Sequence, residues 1–255
     1  MTYRRRMGQN FLISTRVADA EAAHAAGKVV LEIGPGKGIL TERLCKVAKE
    51  VIAVEKDKRL CSLLAGRISS ENLELINADF FDLSDEELGL QKVDIVISNI
   101  PYSISSPIVS WLIDKRKEAV LCMQKEFVKR MVAEAGSGDY SRLSVVCSLS
   151  MKIIEIMNVP RRYFRPEPEV DSEVIYIRPF GGIGEEESRA IGLLMQHKNR
   201  TLRKALVDIS EELGLGRKDA IEVACISGLG GERVFRLKPT ELLEISRALT
   251  GRRVF

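Results

Sequence analysis

The chain has 255 residues, a formal net charge of +3 at pH 7 and 45% hydrophobic residues. A chain of this length can bury one large core and a small additional unit. No apolar run approaches the ~18 residues of a membrane span, so we expect a cytoplasmic protein with no membrane partner. The five cysteines form no Cys-x-x-Cys pair and there are only two histidines, which predicts reduced thiols and no metal site.

The first predicted strand, Val29 to Ile33, leads into a glycine-rich loop and then a helix. Gly34, Gly36 and Gly38 would let the backbone approach a ligand closely. The dinucleotide fingerprint Gly-x-Gly-x-x-Gly is not met, because Ile39 holds the place of its third glycine. Taken alone, such a loop is also compatible with close packing of a strand against a helix.

The next two predicted strands each lead into an acid, Glu55 and Asp79. A carboxylate at the tip of the second strand is placed to accept both hydroxyls of a ribose. Asp79 could accept from an adenine amino group while Phe80 packs beside the ring. The alternatives are a solvated charge at Glu55 and an ordinary turn residue at Asp79.

A fourth predicted strand, Val93 to Ser98, ends in Asn99-Ile100-Pro101-Tyr102. The exocyclic amine of adenine is a poor nucleophile, since its lone pair is delocalised into the ring. The Asn99 amide oxygen and the carbonyl of the Ile100-Pro101 bond could accept its two N–H hydrogens, and Tyr102 could stack on a base taken out of its helix. A simple turn would use the same residue types. Four successive strand ends suited to one nucleoside ligand favour the chemical interpretation.

These loops and acids resemble the motifs of S-adenosylmethionine-dependent methyltransferases that act on exocyclic amines. Gly8-Gln9-Asn10-Phe11-Leu12 and the segment from Phe164 to Ser172 resemble two further motifs, those of the ribosomal RNA adenine dimethyltransferases. Within that family the chain looks most like the enzymes that dimethylate two adjacent adenosines near the 3′ end of small-subunit ribosomal RNA. One departure is Ile100, where leucine is more usual.

The resemblance implies S-adenosylmethionine as cofactor and a role for each matched residue. The cofactor-binding residues would be Gln9, Asn10, Leu12, Gly34, Gly36, Gly38, Glu55, Asp79 and Asn99. The residues that hold the target base would be Asn99, Pro101, Tyr102 and Phe164. The segment from Gln9 to Leu12 would lie over the cofactor, and Phe164 would cover the second face of the base.

The fold class expected is α/β: a Rossmann-like S-adenosylmethionine-dependent methyltransferase fold with a small helical C-terminal domain. We place the methyltransferase domain at residues 1–180 and the helical domain at residues 185–255. Between them, Gly181-Gly182-Ile183-Gly184 reads as a linker.

Basic residues gather at residues 4–6, at Arg161-Arg162 with Arg165, at residues 197–204 and at Arg252-Arg253. Any one cluster could be a solvated face, but several near the proposed base pocket favour contacts with RNA phosphates. We therefore expect a monomer whose partner is small-subunit ribosomal RNA in a pre-ribosomal particle. Two alternatives stay open: a large-subunit ribosomal RNA adenine methyltransferase of the macrolide-resistance type, and a mainly non-catalytic RNA-binding factor in ribosome assembly.

Overall fold

The structure, a computed structural model, describes residues 10–251. These residues form two compact units, one containing residues up to Val128 and Ile153–Pro179, the other Lys129–Lys152 and the residues from Phe180 onward. The strands are β1 (Phe11–Leu12), β2 (Val29–Ile33), β3 (Glu50–Val54), β4 (Leu73–Ile76), β5 (Ile95–Asn99), β6 (Glu118–Gln124), β7 (Met151–Val159), β8 (Phe164–Arg165) and β9 (Ser172–Pro179). The helices are α1 (Thr15–Ala22), α2 (Thr41–Val47), α3 (Lys58–Arg67), α4 (Ser105–Lys115), α5 (Lys125–Met131), α6 (Arg142–Ser150), α7 (Glu185–Gln196), α8 (Leu202–Ile209), α9 (Arg217–Ile226) and α10 (Pro239–Leu249).

A seven-stranded sheet with the order β4-β3-β2-β5-β6-β9-β7 forms the centre of the first unit. The five strands from β4 to β6 are parallel, whereas β9 runs antiparallel to β6. All five residues of β2 are buried, as a parallel strand covered on both faces requires. The carboxyl ends of β2, β3 and β5 therefore meet at one edge of the sheet, where open α/β sheets bind ligands.

A separate two-stranded sheet pairs β1 with β8, so that Phe11 lies opposite Arg165 and Leu12 opposite Phe164. Leu12 and Phe164 are both buried, and they belong to the same hydrophobic cluster as Val17 of α1. The two sequence motifs at these positions are thus joined directly by backbone pairing.

The second unit is helical and has its own hydrophobic core. Residues 129–152, which the sequence placed in the first domain, belong to this unit instead. Tyr140 explains the difference, because its fully buried ring lies in this core and its O–H donates to the Leu237 carbonyl at 2.9 Å. The helix α6, which follows it, adds Val145 to the same core.

Among the described residues, no helix is long and apolar enough to cross a membrane. No group of three or more His, Cys, Asp or Glu side chains within residues 10–251 is arranged to hold a metal ion.

Candidate active site

The glycine-rich loop after β2 is held in a conformation that suits glycine. Gly34, Gly36 and Gly38 have φ values of 70°, 60° and 81°, in the left-handed region that other residues rarely adopt. A Cβ atom on Gly36 would lie 3.1 Å from Cδ1 of Phe11, and one on Gly38 would collide with the Leu64 side chain. The absence of a side chain at Gly36 therefore lets Phe11 of β1 pack against the loop. At Gly38 it lets Leu64 of α3 pack against the loop.

Glu55, at the tip of β3, is tied to this loop. Its Oε2 accepts the Gly36 N–H at 3.0 Å and its Oε1 accepts the Asp57 N–H at 2.8 Å. Burial raises the pKa of Glu55, while these backbone N–H groups act in the opposite direction. Each carboxylate oxygen can accept a second hydrogen bond, so Glu55 can bind a ligand hydroxyl while it holds the loop.

One pocket collects most of the predicted cofactor residues. Its lining consists of Asn10, Phe11, Leu12, Glu32, Gly34, Pro35, Gly36, Lys37, Ile39, Leu40, Glu55 and Asn99. Six predicted residues are therefore brought together: Asn10, Leu12, Gly34, Gly36, Glu55 and Asn99. Gln9 lies outside the described residues.

Asp79 stands apart from this pocket lining. It follows β4, and its carboxylate pairs with the Lys56 ammonium and accepts the Phe81 N–H at 3.2 Å. The Lys56 hydrogen bond is the main cause of a lowered pKa at Asp79. Phe80 is buried and packs edge to face on Trp111, with ring centroids 5.1 Å apart.

Asn99 is the last residue of β5, and the two polar atoms of its side-chain amide differ in their contacts. Its Nδ2 donates to Oε2 of Glu21 at 3.2 Å, across 78 residues of sequence. Its Oδ1 is buried and has no hydrogen-bond partner among the described residues. Since buried polar atoms are nearly always paired, this oxygen is a vacant acceptor in the pocket lining.

Pro101 and Tyr102 follow Asn99. Pro101 lies close to the loop, because a Cβ atom on Gly34 would be 3.5 Å from its ring. The Tyr102 hydroxyl hydrogen-bonds the Ser172 hydroxyl at 2.7 Å. Burial raises the pKa of Tyr102 to about 12, so its phenol stays neutral.

Phe164 is only 2% exposed and belongs to the hydrophobic core of the first unit. The sequence predicted that its ring covers one face of the target base. In the described conformation the ring packs in the core, so stacking on a base requires it to become accessible.

Two buried acids near Asn99, namely Glu32 and Glu21, were not predicted from the sequence. Glu32 lies within β2 and lines the pocket with Oε2 unpartnered among the described residues. Burial raises the pKa of Glu32 to about 8. Glu21, in the alanine-rich α1, has its pKa raised to about 8, again mainly by burial. An acid inside the apolar strand Val29–Ile33 was the available signal for Glu32, but the sequence offers none for Glu21.

The basic clusters differ in how far their side chains are already engaged. Arg161 pairs with Glu167 at 3.0 Å, and Arg200 pairs with Asp208 at 2.6 Å. Arg203 and Lys204 are exposed on α8. Residues 4–6 and Arg252-Arg253 lie outside the described residues.

Comparison with known proteins places the chain in a family. Residues 1–215 match the profile of the ribosomal RNA adenine dimethylases. A "probable ribosomal RNA small subunit methyltransferase A" of Methanopyrus kandleri is 39% identical over 96% of this chain and 92% of its own. A protein of the same name from Thermococcus onnurineus is 37% identical over 95% of this chain and 91% of its own.

Solved structures agree with this sequence relationship. A dimethyladenosine transferase from Plasmodium falciparum superposes with a TM-score of 0.81 at 29% identity, covering 94% of this chain and 98% of that one. The 23S rRNA methyltransferase ErmE gives a TM-score of 0.66 at 27% identity, covering 94% and 100%. The Rossmann-like methyltransferase fold predicted from the sequence is confirmed. The chain belongs to the ribosomal RNA adenine dimethylase family, whose members use S-adenosylmethionine as methyl donor.

Proposed function

We propose that this protein dimethylates the exocyclic amino groups of two adjacent adenosines near the 3′ end of small-subunit ribosomal RNA. The observation that carries the proposal is the vacant, buried Oδ1 of Asn99 at the carboxyl end of β5. It lies in the lining of a pocket whose glycine loop suits a nucleoside cofactor. The names of the archaeal relatives support the small-subunit target.

The pocket residues fit S-adenosylmethionine. Glu32 contributes a buried acceptor oxygen without a partner among the described residues, which suits an N–H donor of the methionine ammonium. Glu55 would accept the ribose hydroxyls, and Gly34 and Gly36 would let the backbone pass beside the methionine part. Asn10 and Leu12 would cover the cofactor. Asp79, which lies outside the pocket lining and pairs with Lys56, would receive the adenine amino group. When bound, the cofactor supplies an electrophilic methyl group on a sulfonium.

Asn99, Pro101 and Tyr102 would orient the target adenine. The Asn99 Oδ1 and the backbone carbonyl before Pro101 would accept the two N–H hydrogens, which draws the lone pair of the amine toward the methyl donor. The Tyr102 ring, held by Ser172, would stack on the flipped base. Catalysis is then mainly positioning and exclusion of water, and it requires no histidine base.

The wider setting proposed is a monomer in the cytoplasm that acts on a pre-ribosomal small-subunit particle. The exposed Arg203 and Lys204 of α8 would contact phosphates, while Phe164 would reach the second face of the base.

Methyl incorporation into ribosomal RNA tests the function. Purified protein, labelled cofactor and unmethylated small ribosomal subunits should give dimethylated adenosine at two adjacent positions, mapped by mass spectrometry. Asn99→Ala should lower the single-turnover rate by about a hundredfold or more, whereas Asn158→Ala, at an exposed asparagine of β7, should not. Methylation of large-subunit RNA alone would indicate the macrolide-resistance activity. Full activity of Asn99→Ala would contradict the mechanism.

A further inference from the structure

The productive orientation of the Asn99 amide is not decided by Asn99 itself. A half-turn about the last side-chain bond exchanges its acceptor oxygen with its NH₂ group. Only the orientation with Oδ1 toward the target can accept an N–H of the adenine amine. The flipped orientation would present two donors to that amine and oppose the reaction.

A hydrogen bond to Glu21 favours the orientation in which Nδ2 of Asn99 faces Glu21. Glu21 lies near the end of α1 with 0% of its surface exposed, and its Oε2 accepts the Asn99 Nδ2 hydrogen at 3.2 Å. The observed bond, with Nδ2 as donor and Oε2 as acceptor, can form with either protonation state of the carboxyl group. The ionised form, which prevails above the raised pKa of about 8, has acceptors only and therefore permits only the amide orientation in which Nδ2 faces Glu21. Oδ1 is then left on the other side of the amide, buried and without a partner among the described residues.

The surroundings of Glu21 give no packing reason for an acid. The other buried residues of α1 are Val17, Ala18 and Ala22. Glu32 raises the pKa of Glu21 further. Glu21 in turn raises the pKa of the Cys122 thiol, which burial raises most. Cys122 lies opposite Asn99 in the pairing of β5 with β6. A buried acid is costly to the fold because burial penalises a polar group that is not fully hydrogen-bonded, and Oε1 of Glu21 is buried without a partner among the described residues.

We propose that Glu21 is a positioning residue, which holds the Asn99 amide so that Oδ1 faces the target amine. The proposal rests on the function proposed above, because it assigns Glu21 a role only through Asn99. It predicts that removing the carboxyl group harms catalysis while leaving the fold at least as stable.

Glu21→Met tests this with a side chain of similar length that cannot accept the Asn99 hydrogen bond. At about pH 9, where Glu21 is mostly ionised because its pKa is raised to about 8, we expect a ten- to hundredfold lower kcat, roughly the effect of losing one hydrogen bond to a charged group. Cofactor Kd should be unchanged and stability to urea undiminished. Glu21→Gln keeps an acceptor but adds a donor, so its kcat should lie between the kcat of the native protein and that of Glu21→Met. In an Asn99→Ala background, Glu21→Met should cause no further loss, since the cycle measures the coupling of the two residues.

A readout independent of activity is the Asn99 side-chain amide in ¹⁵N NMR spectra. Its Nδ2 hydrogens should shift between the native protein and Glu21→Met, and they should exchange faster in the variant. Wild-type kcat in Glu21→Met, an equal loss in the Asn99→Ala background, or an unchanged Asn99 amide signal would each overturn the proposal. An inactive native protein with the expected NMR shift would instead contradict the proposed function while leaving the contact between the residues intact.

Discussion

Gly36 and Glu55 are joined by a 3.0 Å hydrogen bond from the Gly36 N–H to Glu55 Oε2. The bond connects the loop after β2 to the tip of β3, so the residue expected to bind ribose also fixes the loop expected to pass the methionine part. Cofactor affinity should therefore depend on Glu55 in two ways, directly and through the shape of the loop.

Glu55→Ala should weaken cofactor binding by about 1.5 to 3 kcal/mol, the usual effect of losing hydrogen bonds to a charged acceptor. Glu55→Gln should lose less, because its amide oxygen can still accept one of the bonds. Isothermal calorimetry with the cofactor measures both values. Unchanged affinity in Glu55→Ala would remove this residue from the binding site.

Gly36→Ala should lose cofactor affinity beyond its effect on stability. At φ 60° an added Cβ is strained, and it would also lie 3.1 Å from Phe11. Gly27→Ala is the matched control, because Gly27 has φ 69° but open space around a Cβ. Both variants should lose about 1 to 2 kcal/mol of stability from left-handed strain, as urea unfolding would measure. Equal cofactor affinity in the two variants would show that the contact with Phe11 is unimportant.

Tyr102→Ala should reduce productive RNA binding and methyl transfer together, because stacking on a base is worth roughly 1 to 3 kcal/mol. Tyr102→Phe keeps the ring and loses only the 2.7 Å hydrogen bond to Ser172. Its rate should stay close to that of the native protein, since a neutral hydrogen bond contributes only about 1 kcal/mol. A severe defect in Tyr102→Phe would mean that the hydroxyl, not the ring, is the functional group.

RNA affinity should fall steeply with salt if α8 contacts phosphates. Replacing Arg203 and Lys204 together by glutamine should reduce the slope of log affinity against log salt by roughly 1.5 to 2. Lys46→Gln with Lys49→Gln removes the same charge from exposed positions of the first unit and should change the slope less. Equal slopes in the two double variants would exclude α8 as a specific RNA contact.

Glu21→Met should also change how stability depends on pH. Burial raises the folded-state pKa of Glu21 from 4.5 to about 8, so between these values the folded protein retains a proton that the unfolded chain releases. The free energy of unfolding therefore falls as pH rises through that window. The stability of Glu21→Met relative to the native protein should increase with pH, by up to about 1.4 kcal/mol per pH unit. Glu32 titrates in both proteins, and parallel pH profiles would contradict the raised pKa of Glu21.

The parallel strands and their loops were predictable because their signals are local. A buried strand such as Val29–Ile33 is a continuous apolar run, and the left-handed φ values after it are met by the glycines themselves. The order of the strands places their carboxyl ends together, so Gly34, Gly36, Glu55 and Asn99 meet in one pocket, where Asn10 and Leu12 join them from β1.

What the sequence did not reveal depends on contacts between distant segments. The hydrogen bond between Glu21 and Asn99 spans 78 residues, and no local pattern marks it. Tyr140 is linked to the helical unit by its hydrogen bond to Leu237. This contact between distant segments helps explain why residues 129–152 belong to the helical unit and not to the predicted first domain. The burial of Phe164 likewise comes from the core beside β1 and β8, and motif resemblance alone cannot indicate which way its ring faces.

The ladder of backbone pairing between β1 and β8 links the segment that we propose covers the cofactor to the residue that we propose contacts the target base. Because Phe11 pairs with Arg165 and Leu12 with Phe164, a displacement of either strand is transmitted to the other through backbone hydrogen bonds. A mutation that frays this ladder should therefore not produce a pure cofactor defect or a pure RNA defect. Variants in this ladder should lose cofactor affinity and RNA affinity together. A variant that loses only one of these affinities should act at another part of the molecule.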